Sequence, residues 1–274
     1  MINPTLSEWL NLVFRWVHVF AGIMWVGTTY YFTWLDARLS EEEKAVANTG
    51  TPAQIWMVHS GGFYVVEKRK VPDLLSRKLH WFRWEAGTTW LSGMALLITV
   101  YYLGGGALVD QDVRDISVGA ATALGIGLLI VGWIVYDLMM ISPLGKNEKA
   151  FALIAYLLVV GITYQLTRMF SGRAAYIHVG AMFGTIMAAN VWMRILPAQK
   201  KMIASINEGR KPDDALSAQA KLRSKQNTFM AVPVVFLMIS SHFPGATYGD
   251  RYNWAVLAVL ILAGWIAAKF IRRA

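Results

Sequence analysis

The chain has 274 residues, 56% of them hydrophobic and only 16% charged. Soluble domains carry about a quarter charged residues, so this composition excludes an ordinary soluble domain and points to the membrane. A formal charge of +9 raises nucleic acid as a partner, but the basic residues lie between apolar runs, where they act as topology signals, and no nucleic-acid role is expected. The absence of cysteine excludes disulfides, thiolate metal sites, a Cys nucleophile and covalent c-type haem in this chain.

Residues 1–13 lack the positively charged start of a cleavable signal peptide, so none is expected. A span needs about 20 largely apolar residues. Seven runs qualify, at roughly 8–35, 81–103, 116–141, 149–168, 174–196, 227–243 and 252–271. The sixth is short and contains Pro233, and amphipathic helix from 215 onward is expected to extend it. The fold class expected is therefore an all-α polytopic membrane protein, a single domain over 1–274 with seven transmembrane helices.

Two polar insertions interrupt the runs, at about 40–78 and 198–226. The first holds "QIWMVHSGGFYVVEKRK", two β-prone stretches joined by Ser60-Gly61-Gly62, which reads as a small cytoplasmic β-hairpin laid on the membrane surface. The second reads as a helix, a turn at "EGRKPDD" and another helix leading into the sixth span. Twenty of the Lys and Arg residues fall on the side of these insertions, including Lys70, Arg77 and Arg273. Only Arg114, Arg168, Arg173 and Arg251 fall opposite. The positive-inside rule then places the N-terminus outside and the C-terminus inside, in a bacterial cytoplasmic membrane. The "YYLGGGAL" stretch at 101–108 reads as an outer turn, and "HSGGFY" lacks the G-K-[ST] of a phosphate loop.

Ionisable residues inside the spans are the candidates for function, because they are costly in a bilayer. His18, in "FRWVHVFAGIMWVG", and His178, in "AAYIHVGAMFG", enter the membrane to similar depth from the same side. A pair of that kind suits the axial ligands of a b-type haem, with Arg15 one turn above His18 on a propionate. The alternative is that each His hydrogen-bonds between helices while Arg15 reaches to the outer interface. At the inner ends lie Asp36, Glu85, Asp137 and Arg194, surrounded by Trp34, Trp84 and Trp192, with His80 and Arg83 on the same strip. Three carboxylates and an Arg from four helices would line a pocket for a small planar molecule. In that pocket Glu85, Asp137 and Arg194 would do the chemistry, and Asp36, Trp84 and His80 would hold the substrate. The alternative is a set of interfacial residues paired with loop cations. His59 and His242 read as ordinary loop or helix-end residues.

The blocks "HSGGFYVVEKRK", "KLHWFRWEAGTTWLSG", "WIVYDLM" and "NTFMAVPVVFLMISSHFP" occur in order. They resemble the signature blocks of the membrane-bound, cytochrome-c-linked urate oxidases, specifically their N-terminal membrane domain, from about residue 10 to residue 270. Ser60 stands where that pattern has a Gly. Gly61, Gly62, Trp81, Trp84, Glu85 and Asp137 lie inside the matching blocks. The resemblance implies oxidation of urate to 5-hydroxyisourate with electrons leaving through cytochrome c. It also implies an eighth span and a cytochrome domain that these 274 residues do not include, so the acceptor expected is a separate cytochrome c. The first helix, His18 followed by "AGIMWVG", also resembles small haem-binding membrane protoporphyrinogen oxidases. The leading expectation is thus a urate-oxidase-type membrane redox protein. The alternative is a non-catalytic or haem-binding accessory subunit of a larger membrane electron-transfer complex. A transporter ranks third, since no repeated halves with broken helices are visible.

Overall fold

A computed structural model describes residues 4–69, 78–103 and 106–272. Lys70, Arg77, Arg273 and two glycines of the "YYLGGGAL" turn, Gly104 and Gly105, lie outside the described residues. Among the described residues the regular structure is helical apart from one two-stranded sheet. It runs through α1 (Pro4–Ala45), β1 (Gln54–His59), β2 (Gly62–Glu67), α2 (Trp84–Leu97), α3 (Val118–Ile141), α4 (Glu148–Leu166), α5 (Gly172–Ala189), α6 (Leu196–Asn207), α7 (Asp214–Ile239) and α8 (Asn253–Ile271).

Among the described residues five helices are long and apolar enough to cross a membrane: α1, α3, α4, the continuous Gly172–Asn207 rod that includes α5 and α6, and α8. The all-helical reading therefore holds, with the expected hairpin as its one sheet. Helix starts follow local chemistry. Ser117, Asn147, Ser171 and Asp213 each accept a backbone N–H of the following first turn, satisfying donors that a helix start leaves open. Helix α7 begins at Asp214, so the polar stretch before the sixth run does continue into it. Pro233 sits inside α7 against Gly264 of α8, where an added Cβ would come within 3.0 Å of the proline ring. The small residue lets α8 close over a turn that has lost a backbone bond.

The centre of the bundle is α5. Tyr176, His178 and Val179 are fully buried there, and α5 packs against α2, α3, α4 and α7. Helix α1 lies at the periphery, packed along α2, with most of its length exposed. Its Trp16, Phe20 and Ile23 face outward, as apolar side chains do where lipid is the solvent.

Two segments wind as π-helix, Ile98–Tyr102 after α2 and Asn190–Ile195 between α5 and α6. Each extra residue in such a turn rotates the side chains that follow, and π-turns concentrate at functional sites. Here they carry Tyr102 on one side of the bundle, and Asn190 and Arg194 on the other.

Candidate functional site

Asp137, near the end of α3, accepts three hydrogen bonds. Arg194 grips it with a two-pronged fork, through Nε at 2.9 Å and through Nη2. Arg223 of α7 adds a third from its Nη2, 2.7 Å from Oδ1. Arg223 is 2% exposed. Its Nη1 donates to Asn190 Oδ1 at 3.2 Å, and its guanidinium lies over the Tyr136 ring, 5.4 Å from the centroid.

Asn190 in turn donates to the Tyr136 hydroxyl at 3.0 Å and to Asn227 Oδ1 at 2.9 Å, while Asn227 donates to the Met187 carbonyl. The network thus joins α3, the α5–α6 rod and α7. Two guanidinium groups face one carboxylate, so the cluster holds one uncompensated positive charge in a low-dielectric setting. Arg194, at the edge, keeps about a third of its side chain exposed, against 2% for Arg223. The arrangement leaves one guanidinium half-open at the edge of the cluster and seals the other inside it.

The first turn of α2 packs onto the same π-turn. Trp84 and Trp192 meet edge to face with centroids 5.6 Å apart, and a Cβ at Gly87 would approach Trp192 to 3.1 Å. Glu85 lies between those contacts in sequence, and its Oε2 is buried with no hydrogen-bond partner among the described residues. A buried acceptor without a donor is rare, and here it stands one helical turn from Thr89, on a face shared with Ser92.

The expected pocket of three carboxylates and an Arg therefore forms in part. Asp137 and Arg194 are bound together, and Glu85 and Trp84 stand on the helix turn that packs beside them. Asp36 does not join them: it pairs with Lys68 beyond the hairpin and with Lys221 of α7 at 3.4 Å. Its placement follows the loop-cation reading, since both partners are lysines of the two polar insertions. His80 is exposed and stacks on Phe82, and Arg83 lies over Trp84 with 5.7 Å to the centroid. Trp34 is 40% exposed and leans on Tyr31.

Arg223, Asn190, Asn227 and Tyr136 were not among the residues singled out from sequence. Arg223 was counted with the loop cations, yet Arg223, Asn227, Met230, Ala231 and Leu237 are all buried on α7. Their near-helical spacing is the signal that places an Arg on the core face. No pattern in the sequence announces the π-turn.

The histidines occupy two different helix contacts. His18 donates from Nδ1 to the Thr89 carbonyl at 2.9 Å, with Ser92 Oγ 3.2 Å away, and its ring lies flat enough on Gly93 that a Cβ there would be 2.9 Å from it. His178 donates from Nδ1 to the Ala174 carbonyl at 2.8 Å and accepts the Tyr102 hydroxyl at Nε2, 3.1 Å away. A Cβ on Gly125 would stand 2.8 Å from that Nε2. Arg15 is exposed and bonded to Asn11. The α2-side partners of the two rings, Ser92 and Tyr102, are separated by roughly 15 Å of helix. His178 also has no lone pair turned to open space, so the residues present do not fit a haem gripped between His18 and His178. Among the described residues no group of three or more His, Cys, Asp or Glu side chains is placed to hold a metal ion.

Helices long and apolar enough to cross a membrane, packed around a buried guanidinium–carboxylate cluster, define the class: a helical protein of membrane type. Within that class the match is specific: the chain belongs to the urate oxidase N-terminal family, whose pattern covers residues 4–274. Neither a curated protein nor a solved structure matches it.

Proposed function

We propose that the protein is the membrane part of a urate-oxidase-type redox system, oxidising urate to 5-hydroxyisourate and passing the electrons to a separate cytochrome c. One observation carries this reading: the Asp137–Arg194–Arg223 cluster, with its surplus positive charge and its half-open Arg194, in a chain of this family. Urate is a planar monoanion at neutral pH, so a guanidinium can take its charge and two of its polar edge atoms together.

The reaction adds the oxygen of water to urate and releases two protons and two electrons. The chain's own residues would bind and orient the anion at Arg194, held rigid by Asp137, and receive a proton at Glu85, whose Oε2 has no other donor. Trp84 and Trp192 form an aromatic wall beside Arg194. The electrons go in single steps to the cytochrome.

The proposal includes the membrane arrangement. Helices α2 and α7 add to the five more apolar helices as further spans, making seven, with the N-terminus outside the bacterial cytoplasmic membrane and the C-terminus inside. His18 and His178 serve as interhelical hydrogen-bonding residues.

The test is urate-dependent reduction of cytochrome c by the detergent-purified protein, alongside urate binding. Arg194→Ala should weaken urate binding at least tenfold, and Glu85→Gln should lower turnover with little change in binding. Unaltered binding and turnover in a folded Arg194→Ala protein would remove the assignment.

A further inference from the structure

The hairpin β1–β2 carries two unlike faces. Antiparallel pairing sets Trp56 opposite Val65 and Val58 opposite Phe63. These four side chains share one face and are 70%, 49%, 69% and 81% exposed respectively. Ile55, Met57 and Val66, on the other face, are half-buried. The alternation assigns the second face to α1, where the Tyr31 hydroxyl meets Met57 Sδ at 3.6 Å. Among the described residues nothing covers the first.

The depth of that bare face follows from α1. At 42 residues the helix is roughly 63 Å long, about twice the thickness of a bilayer's hydrocarbon core. Asp36, Arg38, Glu41, Glu42, Glu43 and Lys44 lie in its last ten residues, so the hydrocarbon boundary falls near Asp36. The hairpin docks across that boundary. Lys68, just past β2, bonds to Asp36, while Met57, four rungs nearer the tip, stands beside Tyr31 on the membrane side. The strands therefore run back along α1 toward the bilayer midplane, with the Ser60-Gly61 turn leading. Both turn residues have positive φ, 48° and 76°, as a tight two-residue hairpin requires. The charged residues Glu67, Lys68 and Arg69 all stand at the base, and Arg69 holds Glu67 at 2.5 Å.

We infer that the β1–β2 hairpin is a membrane-inserted anchor, with Trp56, Val58, Phe63 and Val65 buried among the acyl chains of the leaflet nearest Asp36 and the basic residues at its base against lipid phosphates. The occupant of the apolar face is lipid. Its position beside the apolar part of α1 leaves that face no water to meet, and the sorting of aromatic and aliphatic side chains above a charged base matches an interfacial element. The paired strands satisfy each other's inner backbone groups, and the depth stays within the outer part of the leaflet, where unpaired edge groups still reach water or headgroups.

Because the chain has no cysteine, Phe63→Cys offers a single labelling site. The variant is labelled with an environment-sensitive fluorophore and reconstituted into phosphatidylcholine vesicles containing phosphatidylglycerol. Quenching by nitroxide-bearing lipids is then compared with quenching by aqueous iodide, using Glu42→Cys as the water-exposed reference. The expected result is blue-shifted emission, several-fold stronger quenching by the lipid-borne nitroxide than by iodide, and the reverse preference at position 42. Iodide quenching at position 63 equal to that at position 42 overturns the inference. Protection from both quenchers also overturns it, because protein and not lipid would then cover the face. Val58→Cys, on the same face, repeats the measurement should the first variant fold poorly.

Discussion

Arg223 and Asp137 form a buried ion pair, Nη2 to Oδ1 at 2.7 Å, in which the arginine is sealed and the carboxylate also anchors a second guanidinium. Arg223 keeps Asp137 charged and aimed, while Asn190 and the Tyr136 ring take up the rest of its guanidinium. Arg194 is thereby held at the rim by a carboxylate that cannot rotate away from it.

Loss of one partner of that pair leaves the other charge uncompensated inside the bundle. Arg223→Met should lower thermal stability in detergent by on the order of 3 kcal/mol, and Asp137→Asn by at least as much, since two guanidiniums then face each other. The double variant Arg223→Met with Asp137→Asn should lose less than the sum of the two single losses. Differential scanning fluorimetry checks the order, and equal, additive losses in the cycle would show that the two groups do not interact.

The His178–Tyr102 contact has no spare volume. Gly125→Ala would place a methyl group 2.8 Å from His178 Nε2 and 2.7 Å from the Tyr102 hydroxyl, an overpacking worth about 1–3 kcal/mol. Tyr102→Phe would leave Nε2 without its donor and cost about 1–3 kcal/mol. Both variants should lower the melting temperature, and neither should alter the visible absorption spectrum of protein expressed with ample haem. A Soret band that disappears with His178→Ala in folded protein would contradict this account of the contact.

Orientation is checked with reporter fusions after residues 110 and 210, which should report outside and inside respectively. The asymmetry of twenty basic residues against four survives the loss of Arg223 from the loop set, because the remainder still outnumber the opposite side several-fold. The opposite pattern at both sites would invert every depth assigned to the hairpin and to the anion cluster.

Apolar runs, caps and turn residues made the helical architecture, the Ser60-Gly61 hairpin and the α7 extension legible from sequence. These are local properties: an apolar run of about 20 residues and a positive-φ turn act within their own segment. The family was legible too, since its blocks are contiguous. Which polar residues meet was decided only by tertiary structure. Asp36 shares a helix face with His18 yet pairs with Lys68 and Lys221, which the fold brings to it from the two polar insertions. Asp137 and Arg194 meet because a π-turn at Asn190–Ile195 re-aims the arginine, and Arg223 joins them because the core face of α7 continues past its apolar run. His18 and His178, expected at similar depth, lie against Ser92 and Tyr102, roughly 15 Å apart along the helix, an axial offset that spacing along the chain does not encode.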